Sequence, residues 1–364
     1  MENNATLTKW DSAFLIMLVL PVMGHVIMLP LILDIAGRDA WLSALLSLPF
    51  ALLYGYVIYR LRLQFAKTDF RSFARSVMGK FAGTLLLMAF SLYFAFLCIM
   101  STVQLVDMVN ICFLPETPNL ALTCLFLFIC LYAAAKGIKA LALTSAVLSL
   151  FAITIGYTVS IASAPMKDWR NLYPLLEYGW SPVWLGCLVL LSVWMELAFL
   201  LVIPLRNAAD KSLFRMWGIC IAWNMLIMMM TISGVIAVFG LGQASNFLYP
   251  ALEMVRIISL GFIDRFDTYA LVLMSFGCYI RSSLYLRLCC DLIMPLASQK
   301  KQRFLLLAIW AVVLACSLYI ANTHIRVRHF SLLDVYGIAL FPLLALLLGL
   351  SWLKRKRLSG GSPG

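Results

Sequence analysis

The chain has 364 residues, of which 63% are hydrophobic and only 12% are charged, and its formal net charge is +12. Soluble domains average roughly 45–50% apolar and about 25% charged residues, so a water-soluble fold of this size could not bury so much apolar surface. Intrinsic disorder is also excluded, because disordered chains have low hydrophobicity. The composition predicts an integral membrane protein whose solvent is the lipid bilayer.

Ten long apolar runs, separated by short polar connectors, follow one another along the chain. Each is close to the roughly 20 residues that an α-helix needs to cross the hydrocarbon. The runs cover residues 13–35, 40–62, 82–113, 119–136, 140–163, 182–206, 214–240, 265–290, 303–322 and 331–353. The first run is too long for a removed signal peptide and lacks a small-residue cleavage site. We therefore expect an all-α polytopic protein with about ten transmembrane helices in one membrane domain.

The distribution of basic residues predicts the orientation in the membrane. If the N-terminus is cytoplasmic, 20 of the 28 Lys and Arg residues fall in cytoplasmic segments, seven fall in outer loops, and Arg281 lies inside a span. Cytoplasmic loops carry the excess of basic residues, so both termini are predicted to be cytoplasmic. The positive charge is thus a topology signal, and we expect no nucleic-acid partner.

Ten spans with both ends on one side allow a LeuT-like 5+5 arrangement, in which the second half repeats the first upside down. Two short amphipathic segments, 68–78 and 249–263, follow the second and seventh spans, which are equivalent positions in such a repeat. We expect the first repeat at about 11–163, the second at about 182–353, and a basic tail at 354–364.

The first span carries residues that weaken a helix near its middle. Pro21, Val22, Met23, Gly24 and His25 follow one another there, and proline and glycine both disfavour the helical ladder. In folds of this kind, an unwound stretch at mid-membrane exposes amides and carbonyls that bind a solute. We expect the break here. His25 either couples binding to protons near neutral pH or only forms hydrogen bonds across the break.

Ionisable groups inside spans are costly, at about 2.5–3.5 kcal/mol each on insertion scales, and so they are functional candidates. Glu196 lies centrally in the sixth span and Arg281 lies deep in the eighth. Glu196 could bind a ligand ammonium, carry a proton or pair with a buried cation, or it could only join helices by hydrogen bonds. Arg281 is its expected counter-charge, unless its long stem reaches the cytoplasmic surface. The break in the sixth span is inferred from symmetry alone.

Enzyme chemistry is not expected from this sequence. Three histidines, two of them in one loop, form no combination of nucleophile, base and metal ligands, and the ten cysteines have no metal-ligand spacing. We therefore predict no catalytic residues, no metal site and no cofactor.

Several short stretches resemble the B subunits of the GerA-type spore germination receptors, also called the endospore germination permease family. The resembling stretches are GRDAWLS at 37–43, LPETP at 114–118, KGI at 136–138, YPALEMVR at 249–256 and DRFD at 264–267. Their order and spacing extend the resemblance over essentially the whole chain. Two positions depart from the family pattern: Thr144 stands near an expected arginine, and Met195 replaces a glycine before the central glutamate.

The resemblance implies a permease-like subunit in the inner membrane of a bacterial endospore. Such subunits are thought to bind the germinant, commonly an amino acid, and to act with an A-type membrane subunit and a C-type lipoprotein. We place the pocket between the first, third, sixth and eighth spans. The amides after residues 23–25 would receive a carboxylate, and Glu196 with carbonyls near Val193 would face the ammonium. Its expected walls are Phe96, Trp194 and Phe199.

Two other functions use the same predicted topology. A proton-coupled amino-acid permease would use the same pocket but move the solute across the membrane. A structural membrane scaffold would bind no small molecule at all.

Overall fold

The computed structural model describes residues 6–22, 28–65, 68–206, 210–258, 266–294 and 299–359. These residues form α-helices joined by loops and short 3-10 segments, and the single β-contact among them is a bridge between Leu7 and Leu205. The helices are α1 (Lys9–Val22), α2 (Leu29–Ala36), α3 (Ala40–Gln64), α4 (Phe70–Met78), α5 (Lys80–Cys112), α6 (Asn119–Lys136), α7 (Ile138–Ala162), α8 (Trp180–Met195), α9 (Phe199–Val202), α10 (Lys211–Ala244), α11 (Pro250–Arg256), α12 (Asp267–Ile293), α13 (Gln299–Ala321), α14 (His324–Ser331) and α15 (Leu340–Ser359).

The helices account for the predicted spans. Eight helical segments of the described chain are long and apolar enough to cross a membrane, and they correspond to the second to ninth spans. The two remaining spans are divided. The first consists of α1 and α2, and the tenth begins with a 3-10 segment, Leu332–Ala339, that leads into α15. The prediction of about ten transmembrane helices is confirmed.

The two short amphipathic segments are helical as expected. The segment predicted at 68–78 is α4, and Gly79 ends it with a φ of 87°, a value that glycine adopts readily. The segment predicted at 249–263 is α11, which is shorter and ends at Arg256. Residues 259–265 lie outside the described part of the chain.

The packing of the spans has the internal symmetry of a 5+5 inverted repeat. The first span packs through α1 on the fifth (α7) and the seventh (α10), and the sixth packs through α8 on the tenth and the second (α3). Exchanging the two halves of the chain converts one set of contacts into the other. The third and eighth spans, α5 and α12, exchange with each other and pack together extensively. The predicted LeuT-like arrangement is therefore observed.

Small residues allow close approach where spans of the two halves meet, as in many membrane helix pairs. A Cβ on Gly186 of α8 would lie 2.6 Å from Oγ of Ser43 on α3 and 2.9 Å from Cβ of Ala36 at the end of α2. The Ser43 hydroxyl donates to the carbonyl of Val183, so this contact is also hydrogen-bonded. The sixth span is thus held against the outer parts of the first and second spans.

Candidate functional site

The first span is described as two helices, one on each side of the predicted break. Helix α1 ends at Val22, with the half-buried Pro21 in its last turn, and α2 begins at Leu29. The predicted site residues Met23, Gly24 and His25 lie outside the described residues. Helix α2 has no side-chain cap at its N-terminus, and Pro30 in its first turn has no N–H; the helix dipole favours a negatively charged group at this end.

The sixth span changes its helical form at its central glutamate. Helix α8 ends at Met195, the next three residues, Glu196–Ala198, form a 3-10 turn, and the short α9 follows. A 3-10 stretch within a helix often marks a hinge or a functional position. The sixth span has no central glycine from which this 3-10 turn could be predicted, and only the symmetry of the two halves indicated a break here.

Glu196 and Arg281 form a buried ion pair. The guanidinium donates from Nη2 to Oε1 of Glu196 at 2.6 Å and from Nε to Oε2 at 3.0 Å. The side chains are 1% and 0% exposed, which places the pair in the protein interior rather than at the cytoplasmic surface. Tyr285, one helical turn after Arg281, donates its hydroxyl to Oε2 of Glu196 at 2.5 Å. Both carboxylate oxygens therefore have partners within the chain.

Aromatic rings surround this pair, but not all of them are the predicted ones. Phe94 of α5 is fully buried and stacks on Tyr285, with ring centroids 5.5 Å apart and an interplanar angle of 11°. The predicted Phe96 is half-buried two residues further along, and two residues along a helix correspond to a different face. No sequence pattern distinguishes Phe94 from Phe96. Tyr285 could have been identified, because it lies four residues after Arg281 and so shares its helical face.

The other predicted residues of the sixth span are buried against different neighbours. Trp194 donates from Nε1 to Oγ of Ser47 on α3 at 3.0 Å, so its polar edge faces the second span. Val193 and Phe199 are 1% and 0% exposed and belong to the main core. The structure thus gives Trp194 a role in joining the sixth span to the second.

Arg62 in the last turn of α3 holds the end of the sixth span. Its Nη1 donates to the carbonyls of Leu200, Leu201 and Ile203 at 2.7, 3.0 and 2.9 Å. These carbonyls lie where the helix ends and its backbone acceptors lose their helical partners. A buried guanidinium therefore binds the backbone carbonyls at the C-terminal end of the sixth span.

The chain before α1 also meets the end of the sixth span. The amide of Leu7 donates to the carbonyl of Pro204 at 2.7 Å, and the amide of Arg206 donates to the carbonyl of Leu7 at 2.9 Å. These bonds tie the beginning of the first half to the first span of the second half.

The opposite end of the bundle contains a second polar cluster. Asp107 of α5 accepts a hydrogen bond from the hydroxyl of Tyr249 and pairs with Nδ1 of His324 at 2.7 Å. Burial, together with the neighbouring Asp107, raises the pKa of Tyr249 well above its ordinary value, so this hydroxyl remains a donor. The cluster connects the third span with the segments before α11 and at the start of α14.

The family profile described as spore germination protein matches residues 6–325. The chain belongs to this family. The match extends from the segment before α1 to the beginning of α14, so it includes both helix interruptions and both polar clusters.

One relative in this spore germination family is similar along nearly its whole length. Spore germination protein XB of Bacillus anthracis is 28% identical over 341 residues, which cover 92% of this chain and 95% of the relative. The family resemblance expected from the short motifs is thereby confirmed.

Solved structures of transporters share the fold of this family member. A Na⁺-coupled sialic acid symporter in a substrate-bound, outward-open state is similar with a TM-score of 0.68 and 11% identity, over 94% of this chain and 79% of that one. MhsT in complex with L-phenylalanine is similar with a TM-score of 0.64 and 13% identity, over 94% and 88% of the two chains. Identities this low establish the fold alone.

Proposed function

We propose that this chain is the germinant-sensing, permease-like subunit of a spore germination receptor. It binds an amino acid at mid-membrane and signals to an A-type membrane subunit and a C-type lipoprotein in the spore inner membrane, with both termini cytoplasmic. The observation that carries the proposal is the division of the first span into two helices, with α1 ending at Val22 and α2 beginning at Leu29, in a member of the spore germination family. MhsT, which has this fold, was solved with L-phenylalanine.

The proposed ligand lies across the two interrupted helices. Its carboxylate accepts hydrogen bonds from amides at the start of the outer half-helix, which include those of residues 23–25 and the uncapped beginning of α2. Its ammonium faces carbonyls at the end of α1 and near Val193. Glu196 was expected to contact the ammonium as well, but both of its oxygens are engaged by Arg281 and Tyr285. We therefore assign Glu196 the role of fixed partner to Arg281.

The permanent charge of Arg281 favours sensing over ion-coupled transport. A guanidinium remains protonated in proteins, so the buried pair supplies a cation that neither dissociates nor exchanges with the solution. Because this fixed cation already balances the charge of Glu196, no mobile cation is needed beside that carboxylate. Ligand binding then shifts the population of two conformations of the chain, and the partner subunits respond to the favoured conformation.

Germination of spores tests this proposal. Spores that lack this chain receive either the wild-type chain, Gly24→Val in the predicted break, or Gly349→Val as the control. A Cβ at Gly349 meets no atom within 4 Å. We expect the deletion and Gly24→Val to lose the response to one class of amino acid, while Gly349→Val keeps it. An unchanged response of the deletion strain to every amino acid would contradict the proposal.

Uptake into proteoliposomes separates the sensor from the permease. The sensor should bind the amino acid without accumulating it, with or without a proton gradient. Accumulation of the amino acid that requires a proton gradient would instead establish the proton-coupled permease.

A further inference from the structure

A cavity lies away from the Glu196 and Arg281 pair. It has a volume of about 240 Å³ and lies between α1, α7, α10, α11 and α12. The predicted site residues of the third and sixth spans do not line it, and among those of the first span only Pro21 does so in the described chain. Its walls are mostly apolar. An apolar cavity of about 150 Å³ already stays dry and takes up benzene, so this larger one suits an apolar occupant.

The cavity extends over the depth of one membrane leaflet. Its wall on α7 runs from Ala152 to Ser163, which corresponds to about 16 Å of helix at 1.5 Å per residue. Half of the roughly 30 Å hydrocarbon core is about 15 Å. Tyr157, Leu226 and Met230 at its border are 49%, 38% and 48% exposed on helices that face the lipid. The cavity is therefore accessible from the bilayer.

A basic side chain stands at the outer end of this cavity. Lys167 follows the fifth span, and among the described residues its ammonium makes one charge interaction, a cation–π contact with Trp169 at 6.0 Å. The adjacent Asp168 carboxylate is engaged by Arg170 at 2.8 Å and does not neutralise it. Lys167 is half-buried beside the cavity, and this partial burial lowers the pKa of its ammonium. A negatively charged partner would stabilise it.

We propose that this cavity binds one acyl chain of an anionic membrane lipid, whose phosphate lies against Lys167. The acyl chain follows α7 toward Pro21 at mid-membrane, and the head group stays at the outer surface. The apolar walls, the depth of one leaflet and the ammonium without a carboxylate partner in the described chain all support this occupant. The lipid site adjoins the predicted germinant site at Pro21, but lipid binding does not require a bound germinant.

Native mass spectrometry of the purified chain, titrated with phosphatidylglycerol or phosphatidylcholine of the same acyl chains, tests this proposal. We expect one phosphatidylglycerol to bind about five-fold more tightly, as one basic group near a membrane surface would provide. Lys167→Gln should abolish the preference, and Gly156→Phe should block the cavity, since a Cβ at Gly156 meets no atom within 4 Å.

Each variant has a matched control outside the cavity. Lys136→Gln removes another lysine whose contact is a cation–π interaction, with Tyr132 at 5.0 Å, and Gly349→Phe enlarges another glycine with open space around it. Both controls should bind the lipid as the wild type does. Equal affinity for the two lipids, or equal losses in a variant and its control, would overturn the proposal.

Discussion

Replacing Glu196 should destabilise the protein more than replacing Arg281, its partner in the buried ion pair. Replacing one member of a buried ion pair costs about 3–5 kcal/mol, because the other charge stays buried without compensation. A carboxyl can take up a proton and become neutral, whereas a guanidinium cannot. Glu196→Gln should therefore lower the thermal stability of the detergent-solubilised protein more than Arg281→Gln does. The double variant should recover part of the loss.

An exposed pair provides the control for these variants. Arg38 and Glu177 are 3.0 Å apart with side chains 32% and 38% exposed, and such surface pairs contribute only about 0–1 kcal/mol. Arg38→Gln should leave the melting temperature nearly unchanged. Equal stability of Glu196→Gln and the wild type would show that the pair does not support the fold as described.

At the scale of single residues, the sequence identifies charged side chains within apolar spans, because placing a charge in lipid is costly. This cost singles out Glu196 and Arg281 from the sequence alone, because such groups need a partner. It cannot identify Phe94, since an apolar ring inside an apolar span has nothing to distinguish it. The contact of Asp107 with His324 joins positions 217 residues apart, and no local pattern predicts it.

Among the elements, the end of the sixth span depends on Arg62. Its guanidinium satisfies three carbonyls, and hydrogen bonds to charged groups contribute about 1.5–3 kcal/mol. Arg62→Gln should lower the free energy of unfolding by about 3 kcal/mol, measured by denaturation in detergent. Arg60→Gln on the same helix is the control, because Arg60 is exposed and, among the described residues, its guanidinium contacts Tyr56 of its own helix and no other side chain. Similar losses in both variants would contradict the role of Arg62.

The contact of α4 with α5 depends on a glycine. A Cβ on Gly83 would lie 2.7 Å from Cα of Arg75 and 2.9 Å from the carbonyl oxygen of Ala74, both backbone atoms of α4. Gly83→Ala should therefore destabilise the protein by about 1–3 kcal/mol. Gly156→Ala, which meets open space, should instead stabilise its helix by about 0.5–1 kcal/mol. Melting temperatures that shift in the same direction for both variants would contradict this packing.

The sequence predicted the helices well but their interruptions only in part. Apolar length alone specifies a span, because the backbone in lipid must satisfy its own hydrogen bonds. Proline and glycine indicated the break after Pro21. The 3-10 turn at Glu196–Ala198 contains neither residue, whereas the one at Leu332–Ala339 contains Gly337, which the sequence prediction did not use. Whether a helix can tolerate lost bonds depends on partners from elsewhere, such as the guanidinium of Arg62.

For the whole molecule, symmetry was the most informative prediction. An even number of spans and two amphipathic segments at equivalent places indicated the inverted repeat, and the packing of α1 and α8 on equivalent neighbours agrees with it. The choice of partner for each span could not be predicted, because most spans are apolar on all sides and many pairings would bury similar surface. The lateral cavity beside α7 could not be predicted for the same reason.

The proposed function depends on amino-acid binding at the interrupted first span. The most direct test is the thermal stability of the purified wild-type chain, alone and with its partner subunits, against a panel of amino acids, sugars and nucleosides. A ligand at about 100 times its Kd should stabilise the protein by about 2.7 kcal/mol. We predict a shift with one class of amino acid that Gly24→Val loses and Gly349→Val keeps. No shift with any amino acid in either form, or an equal shift in Gly24→Val, would contradict amino-acid binding at this place.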